Sequence, residues 1–385
     1  MTRAITILGA TGSVGASTLD LIRRNRADWR VVALTANCNV ADLAALAREF
    51  RAEVAVVADE SCLPDLRAAL EGSGIAAAGG RTALCEAAAR PVDLTLAAIV
   101  GCAGLGPVMA AIEQGGAIAL ANKEALVSAG EILKAAVARH GATLLPTDSE
   151  HNAIFQCLAG NDLGDVRRII LTASGGPFRT YSREQLASVT REQALKHPNW
   201  DMGAKITVDS ATMFNKGLEL IEAHHLFPVG LENIEIVVHP QSIVHSLVEY
   251  RDRSMLAQLG PSDMRVPIAS CLAWPRRMDT PMAPLDLPAI GQLTFEAPRE
   301  EVFPATRLCR EAIAEGGAAP AILNAANEVA VAAFLARKIP FTRIALLVER
   351  VLAAGALPPP PRTLEEVLRV DAEARARATD LLEMA

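Results

Sequence analysis

The sequence predicts an α/β protein with a parallel sheet first, a mixed α+β region next and a helical bundle last. Three observations carry this. Short apolar runs alternate with helical patterns over residues 1 to 147. Strand-like runs without that alternation cluster between residues 148 and 273. From residue 304 onward most segments repeat their apolar residues at helical spacing.

In order, the first strand is AITIL at 4–8, followed by the glycine turn GATGSVG and the helical pattern ASTLDLIRRN. VVALTA at 31–36, a helix at 41–50, AEVAVVA at 52–58 and a helix near 61–71 continue the series. TLAAIVG at 95–101, a helix around 107–114, AIALA at 117–121 and a helix at 124–139 complete it. Strands alternating with helices at this spacing make a mainly parallel sheet covered on both faces.

In the second region VRRIILTA, AKITVD, IEIVVH and IVHSLVEY read as strands. The stretch 174–203 holds GG, HPNW and DMG with little strand character, and loops of that length are commonly lids or binding segments. Residues 274–300 are proline-rich and read as an extended linker. LCREAIAEGG, PAILNAANEVAVAAFLARK, FTRIALLVERVL and LEEVLRVDAEARARATDLL then form the helical domain of 301–385.

Composition narrows the class of function. Of the 385 residues, 51% are hydrophobic and 4% aromatic, enough for large cores packed with small aliphatic side chains. The seven cysteines are scattered with no C-x-x-C pair, which fits a reducing compartment. The N-terminal segment shows no secretion signal and no apolar run reaches membrane-spanning length, so a cytoplasmic protein is expected. A formal charge of -7 argues against nucleic acid as a partner.

Gly9, Gly12 and Gly15 sit where the first strand turns into a helix. Small residues there let the backbone approach a pyrophosphate, and the helix's first N–H groups face its charge. With the strand–helix alternation that follows, the turn marks a Rossmann-like dinucleotide site. An NAD site often carries an acid after the second strand, but here stand Asn37, Cys38 and Asn39. Without an acid to repel a 2′-phosphate, NADPH is the expected cofactor. The alternative is that Asn37 and Asn39 serve only the turn.

Asp148 and Glu150 in PTDSEHNAIFQ, with Glu219 in DSATMFNKGLELIEA, supply three hard oxygen ligands suited to Mg²⁺ or Mn²⁺. No His/Cys cluster at zinc spacing competes. By themselves the first two would read as surface or helix-capping acids. Ser174, Ser210, Asn215 and Lys216 offer the hydroxyl, amide and cationic donors that a phosphate dianion needs. His197 is a candidate for a substrate oxygen, and Trp200 for covering an apolar face, although either could anchor a loop. Lys123 follows the last parallel strand, at the strand end where ligands collect, and Asn122 and Glu124 flank it.

GATGSVG, ANKEALV, PTDSEHNAIFQ, SGGPFR, HPNWDMGAKITVDSATMFNKGLELIEA and LNAANEVAVAAFL together closely resemble the 1-deoxy-D-xylulose 5-phosphate reductoisomerase family. The resemblance spans nearly the whole chain. It implies reduction and rearrangement of that sugar phosphate with NADPH to 2-C-methyl-D-erythritol 4-phosphate, in non-mevalonate isoprenoid synthesis. It further implies a homodimer and dependence on Mg²⁺, Mn²⁺ or Co²⁺. Carried onto these motifs, it makes Asp148, Glu150 and Glu219 metal ligands. Lys123, Ser149, Glu150, Ser174, His197, Ser210, Asn215, Lys216 and Glu219 would surround the substrate. Thr11, Gly12, Ser13 and Val14 would contact the cofactor, with Asn39, Asn122, Glu124 and Gly203 farther along. The family commonly has Gly-Lys-Asn where this chain has Asn37-Cys38-Asn39, which removes a lysine from 2′-phosphate recognition. The competing readings are another NADPH oxidoreductase, such as a semialdehyde dehydrogenase with a nucleophilic cysteine, and a non-catalytic cofactor-binding protein.

Overall fold

The structure is a computed structural model describing residues 2–200 and 202–383; Asp201, within the expected lid, lies outside the described residues. The chain divides into two compact units. The first holds 1–125, 131–152 and 264–281, and the second 126–130, 153–263 and 282–385.

The first unit is built on seven strands, β1 (Arg3–Leu8), β2 (Trp29–Ala36), β3 (Val54–Val57), β4 (Ala76–Gly79), β5 (Leu94–Ala97), β6 (Ala117–Leu120) and β7 (Thr143–Pro146). All pair in parallel in the order β4-β3-β2-β1-β5-β6-β7. Ile5 lies opposite Val31 on one side and Leu94 on the other, so β1 is central. Its strand is almost wholly buried and reads as one apolar run, as a strand covered on both faces must. The strand order reverses beside β1, which places the glycine turn at the switch point where such sheets bind ligands. The strand AAAG of β4 and the Gly80–Ala88 helix after it were not legible beforehand, because an alanine run has neither alternation nor branched side chains.

The second unit contains β8 (Val166–Ala173), β9 (Ile234–Val238), β10 (Val244–Tyr250) and β11 (Met255–Leu259) in the order β11-β10-β8-β9. β10 is antiparallel to both β8 and β11, whereas β8 and β9 run parallel. Ile154, Ile169, Leu220, Phe227 and Val248 form a core under this sheet. The helices Ala305–Glu315, Ala319–Leu335, Arg343–Ala353 and Leu364–Glu383 make the C-terminal bundle. Leu323, Phe334, Ile344, Val348 and Val370 are part of its core. The proline-rich linker includes a short Leu287–Ile290 helix and, at Glu296, exchanges two backbone hydrogen bonds with Val238 at 2.9 and 2.8 Å.

One element departs from expectation. AKITVD, read as a strand, is the start of the Ala204–Thr212 helix. Ile206, Thr207 and Val208 favour strands by propensity, but that preference yields to burial, and here Thr207, Val208, Ala211 and Thr212 bury one helical face instead.

Candidate active site

In the first unit the glycine turn is fixed by close packing. Gly9 has φ +86°, and a Cβ there would stand 2.7 Å from the Ala98 carbonyl oxygen; one on Gly15 would meet the Gly9 oxygen at 2.3 Å. Gly12 begins the Ser13–Arg24 helix, and no side chain caps that first turn. Its amides therefore suit a pyrophosphate, with Thr11 and Val14 half-buried and Gly12 and Ser13 exposed. Asn37, Cys38 and Asn39 are exposed beyond β2. Asn39 caps the Val40–Phe50 helix, accepting from the Asp42 N–H at 3.3 Å and donating to the Asp42 carboxylate at 2.7 Å.

Asn122 ends the segment after β6 and caps the Lys123–His140 helix, its Oδ1 accepting from the Ala125 N–H at 2.8 Å. Its Nδ2 donates to the carbonyls of Ile99 at 2.5 Å and Gly101 at 3.0 Å, and approaches Glu124 at 3.4 Å. Lys123 and Glu124 are buried as a result. The Lys123 ammonium forms an ion pair with Asp148. Burial pushes the Asp148 carboxyl up, but the charges of Lys123 and His151, hydrogen bonding with Glu150 and the hydrogen bond from Lys123 outweigh it, holding the group well below the usual carboxylate range. Ser149, buried at the start of the Ser149–Leu158 helix, donates to Glu150 at 2.5 Å. His151 was not singled out beforehand; its place one helical turn after Asp148 was the available signal.

In the second unit Ser174 follows β8. Its Oγ lies 3.0 Å from His197 Nε2 and accepts from the Gly176 N–H at 3.1 Å. His197 Nδ1 accepts the backbone N–H groups of Asn199 at 3.1 Å and Trp200 at 3.0 Å. Two donors at Nδ1 leave the proton of the neutral ring on Nε2, so Nε2 donates to Ser174. Burial lowers the His197 pKa from 6.5 to about 4, keeping the ring neutral. Ser174 thus accepts two hydrogen bonds, and its own O–H remains to donate to an anion. Trp200 and His245 lie with ring centroids 6.1 Å apart, and Asn199 ties the segment to Pro240 at 2.6 Å and Ser242 at 3.0 Å. His245 was missed, because inside a strand-like run it reads as core.

Gly203 caps the Ala204–Thr212 helix, whose last turn carries half-buried Ser210. The next helix, Phe214–Leu226, places Asn215, Lys216 and Glu219 within one turn. Asn215 donates to one Glu219 oxygen at 2.5 Å and Lys216 pairs with the other. Lys216 and Glu219 are 3% and 0% exposed, so this is a buried ion pair and not a solvated surface charge. Cys157, which follows the carboxylate motif in sequence and reads there as a buried helix residue, is buried with its thiol pushed up to about 11 by desolvation. It is a poor source of the thiolate that a semialdehyde dehydrogenase would need at this point of the chain.

A nucleotide-type parallel sheet and, in the same chain, buried ammonium–carboxylate pairs beside hydroxyl and amide donors define an oxidoreductase that joins a dinucleotide to a small anionic substrate. Family models described as 1-deoxy-D-xylulose 5-phosphate reductoisomerase match residues 5–130, and those of its C-terminal domains match 144–227 and 259–377. The chain belongs to the 1-deoxy-D-xylulose 5-phosphate reductoisomerase family. The reductoisomerase of Afipia carboxidovorans is 59% identical over 383 residues, 99% of this chain and 94% of the relative. That of Zymomonas mobilis is 58% identical over 381 residues, covering 99% and 98%. The structure of the Zymomonas mobilis enzyme in complex with NADPH superposes with TM-score 0.95 at 56% identity, over all of both chains. A reductoisomerase in complex with NADPH, fosmidomycin and magnesium gives TM-score 0.95 at 43% identity, over 99% of this chain and 98% of that one.

Proposed function

We infer that the chain converts 1-deoxy-D-xylulose 5-phosphate and NADPH to 2-C-methyl-D-erythritol 4-phosphate with the help of Mg²⁺ or Mn²⁺, a step of isoprenoid synthesis. One observation carries the residue assignment: Lys123 is paired with Asp148 where little water reaches and Lys216 with Glu219 where almost none does, in a chain whose first strand ends in a dinucleotide-type turn. Asp148, Glu150 and Glu219 each offer a carboxylate oxygen, the hard donor chemistry that Mg²⁺ and Mn²⁺ take. A divalent cation held by them supplies Lewis acidity to the substrate's carbonyl and neighbouring hydroxyl oxygens.

The chain's own residues do the rest. Lys123 polarises a substrate oxygen and, with Glu150, handles protons while the carbon skeleton breaks and rejoins by retro-aldol and aldol steps. Ser149 orients Glu150. Ser174, Ser210, Asn215 and Lys216 grip the phosphate, and that remote binding energy positions the reacting end. His197 is a neutral donor that aims the Ser174 hydroxyl, and Trp200 covers the substrate when residues 174–203 close and exclude water. Thr11, Gly12, Ser13 and Val14 hold the cofactor's pyrophosphate. Asn37 and Asn39 would serve its 2′-phosphate, and Asn122, Glu124 and Gly203 would serve its nicotinamide half. Hydride then passes from NADPH to the rearranged aldehyde carbon. In this reading 1–147 binds cofactor, 148–273 does the chemistry, 274–300 links and 301–385 buttresses.

We take the assembly to be a homodimer, supported by β11: an edge strand that exposes Met255, Leu256 and Leu259 at 46%, 45% and 38%. Among the described residues no helix is long and apolar enough to cross a membrane, and all seven cysteines are free, which supports a reducing, cytoplasmic setting. The formal net charge of -7 argues against nucleic acid as a partner. The decisive experiment is product identification with 1-deoxy-D-xylulose 5-phosphate, NADPH and Mg²⁺ or Mn²⁺ beside a chelated control. Equal product in the chelated sample, or simple reduction without rearrangement, rejects the assignment.

A further inference from the structure

The motif LNAANEVAVAAFL has no role in the site described so far. It lies in the Ala319–Leu335 helix, buried along most of its length among alanines, leucines and valines, yet it carries two asparagines with no solvent exposure. Asparagine is a poor helix former and costly to bury, so packing alone does not account for it. Asn327 Nδ2 donates to Asp209 Oδ1 at 2.9 Å. Asp209 is itself 1% exposed, and its other oxygen pairs with Lys205 at 2.8 Å. Both oxygens of the carboxylate are therefore held, one from its own helix and one from the C-terminal bundle.

Asp209 directly precedes Ser210. On the other side of Ser210 lies the turn after Ser174. Gly176, at φ +68°, approaches so closely that a Cβ there would meet the Ser210 carbonyl oxygen at 2.7 Å, and its N–H binds the Ser174 hydroxyl at 3.1 Å. The helix end that presents Ser210 is thus gripped between the glycine turn and the Asp209 anchor. Downstream the same bundle is clamped in turn: Glu328, next to Asn327, pairs with Arg375 at 2.5 Å, and Arg375 also binds Asp371 at 2.7 Å.

We propose that Asn327 is a positioning residue for substrate phosphate recognition, acting through Asp209 to hold Ser210 in place. The proposal rests on the reading that Ser210 binds the phosphate. The bundle then serves as more than a scaffold: it sets the aim of a binding hydroxyl from a helix that never touches substrate.

The test is a double-mutant cycle on the full-length enzyme with saturating NADPH and Mg²⁺. Asn327→Ala raises KM for 1-deoxy-D-xylulose 5-phosphate by about tenfold and leaves kcat and the KM for NADPH within about twofold. Introduced into Ser210→Ala, the same change adds less than about twofold, because the group it aims is already gone. Asn327→Ser, which keeps a donor at this position, falls between wild type and Asn327→Ala, and it takes the place of Asn327→Ala in the cycle if that variant does not fold. Multiplicative effects in the double variant, or an unchanged substrate KM in a folded Asn327→Ala enzyme, overturn the role of Asn327 alone. An unchanged substrate KM in Ser210→Ala overturns the phosphate role of Ser210 and the proposal with it.

Discussion

His197 shows what a single side chain contributes once its hydrogen bonds are counted. Its Nδ1 is occupied by two backbone donors, and burial sets its pKa near 4, so the ring stays neutral through the working pH range. The unfolded chain takes up the proton near 6.5 and the folded one only near 4, so His197 contributes stability that is full above 6.5 and declines as pH falls towards 4. An NMR titration of the His197 ring is expected to show a midpoint near 4; one near 6.5 means that the ring is hydrated and the Ser174 geometry wrong. Glu219 makes the opposite case, because its charge is part of a buried pair. Glu219→Gln is expected to remove metal-supported turnover and also to take the carboxylate charge out of the buried Lys216 pair, a loss of up to about 3–5 kcal/mol by analogy with other broken buried pairs. Urea unfolding checks the second effect and NADPH titration shows whether the cofactor still binds. Metal-dependent turnover at the wild-type rate contradicts the ligand role. The sequence announced the chemistry of such residues through mixed donors at short spacing. It did not announce direction: nothing in HPNW says which imidazole nitrogen faces Ser174.

Elements were legible where period and composition agreed. The Lys123–His140 helix was expected over 124–139, starting from an asparagine that caps it. Its interior break was not foreseen: Ala129 has φ -137° and ψ 25°, and the next residue is Gly130. The reason is steric. A Cβ on Gly130 would stand 2.3 Å from the His225 ring, which is itself buried, so the helix passes that histidine only where a side chain is missing. Gly130→Ala gains helix propensity worth up to about 1 kcal/mol but has to move His225, and overpacking of this kind costs about 1–3 kcal/mol. Net destabilisation in a urea melt is therefore expected. A more stable variant means that the ring rotates away freely. AKITVD at 204–209 was misread for a related reason, since three β-branched residues in a row suggested a strand and only the buried partner surface made them helical.

For the whole molecule, the parallel sheet, the mixed second region and the four closing helices all followed from patterning, because each buries a large apolar surface with a clear period. Strand order within each sheet did not, since pairing joins segments far apart in the chain. β11 is the instructive case. MLAQL was not read as a strand, yet it pairs with β10 from Val244 to Glu249 and forms the sheet's edge. Natural edges are blunted by charge, proline or a cover, and this one has neither a charged residue nor a proline. Met255 and Leu259 point to one face and Leu256 to the other, and all three are exposed. An edge of this kind is a template for pairing with another chain, and in the homodimer proposed above a second copy would cover it. Leu256→Lys places a charge on that edge at a side chain that is 45% exposed, opposite the buried Val248 of β10. Sedimentation velocity is expected to show a shift from dimer towards monomer that deepens on dilution, with the circular dichroism of the fold retained. A wild-type chain that sediments as a monomer, or a lysine variant that remains fully dimeric, assigns the dimer contact elsewhere and leaves β11 an uncovered edge.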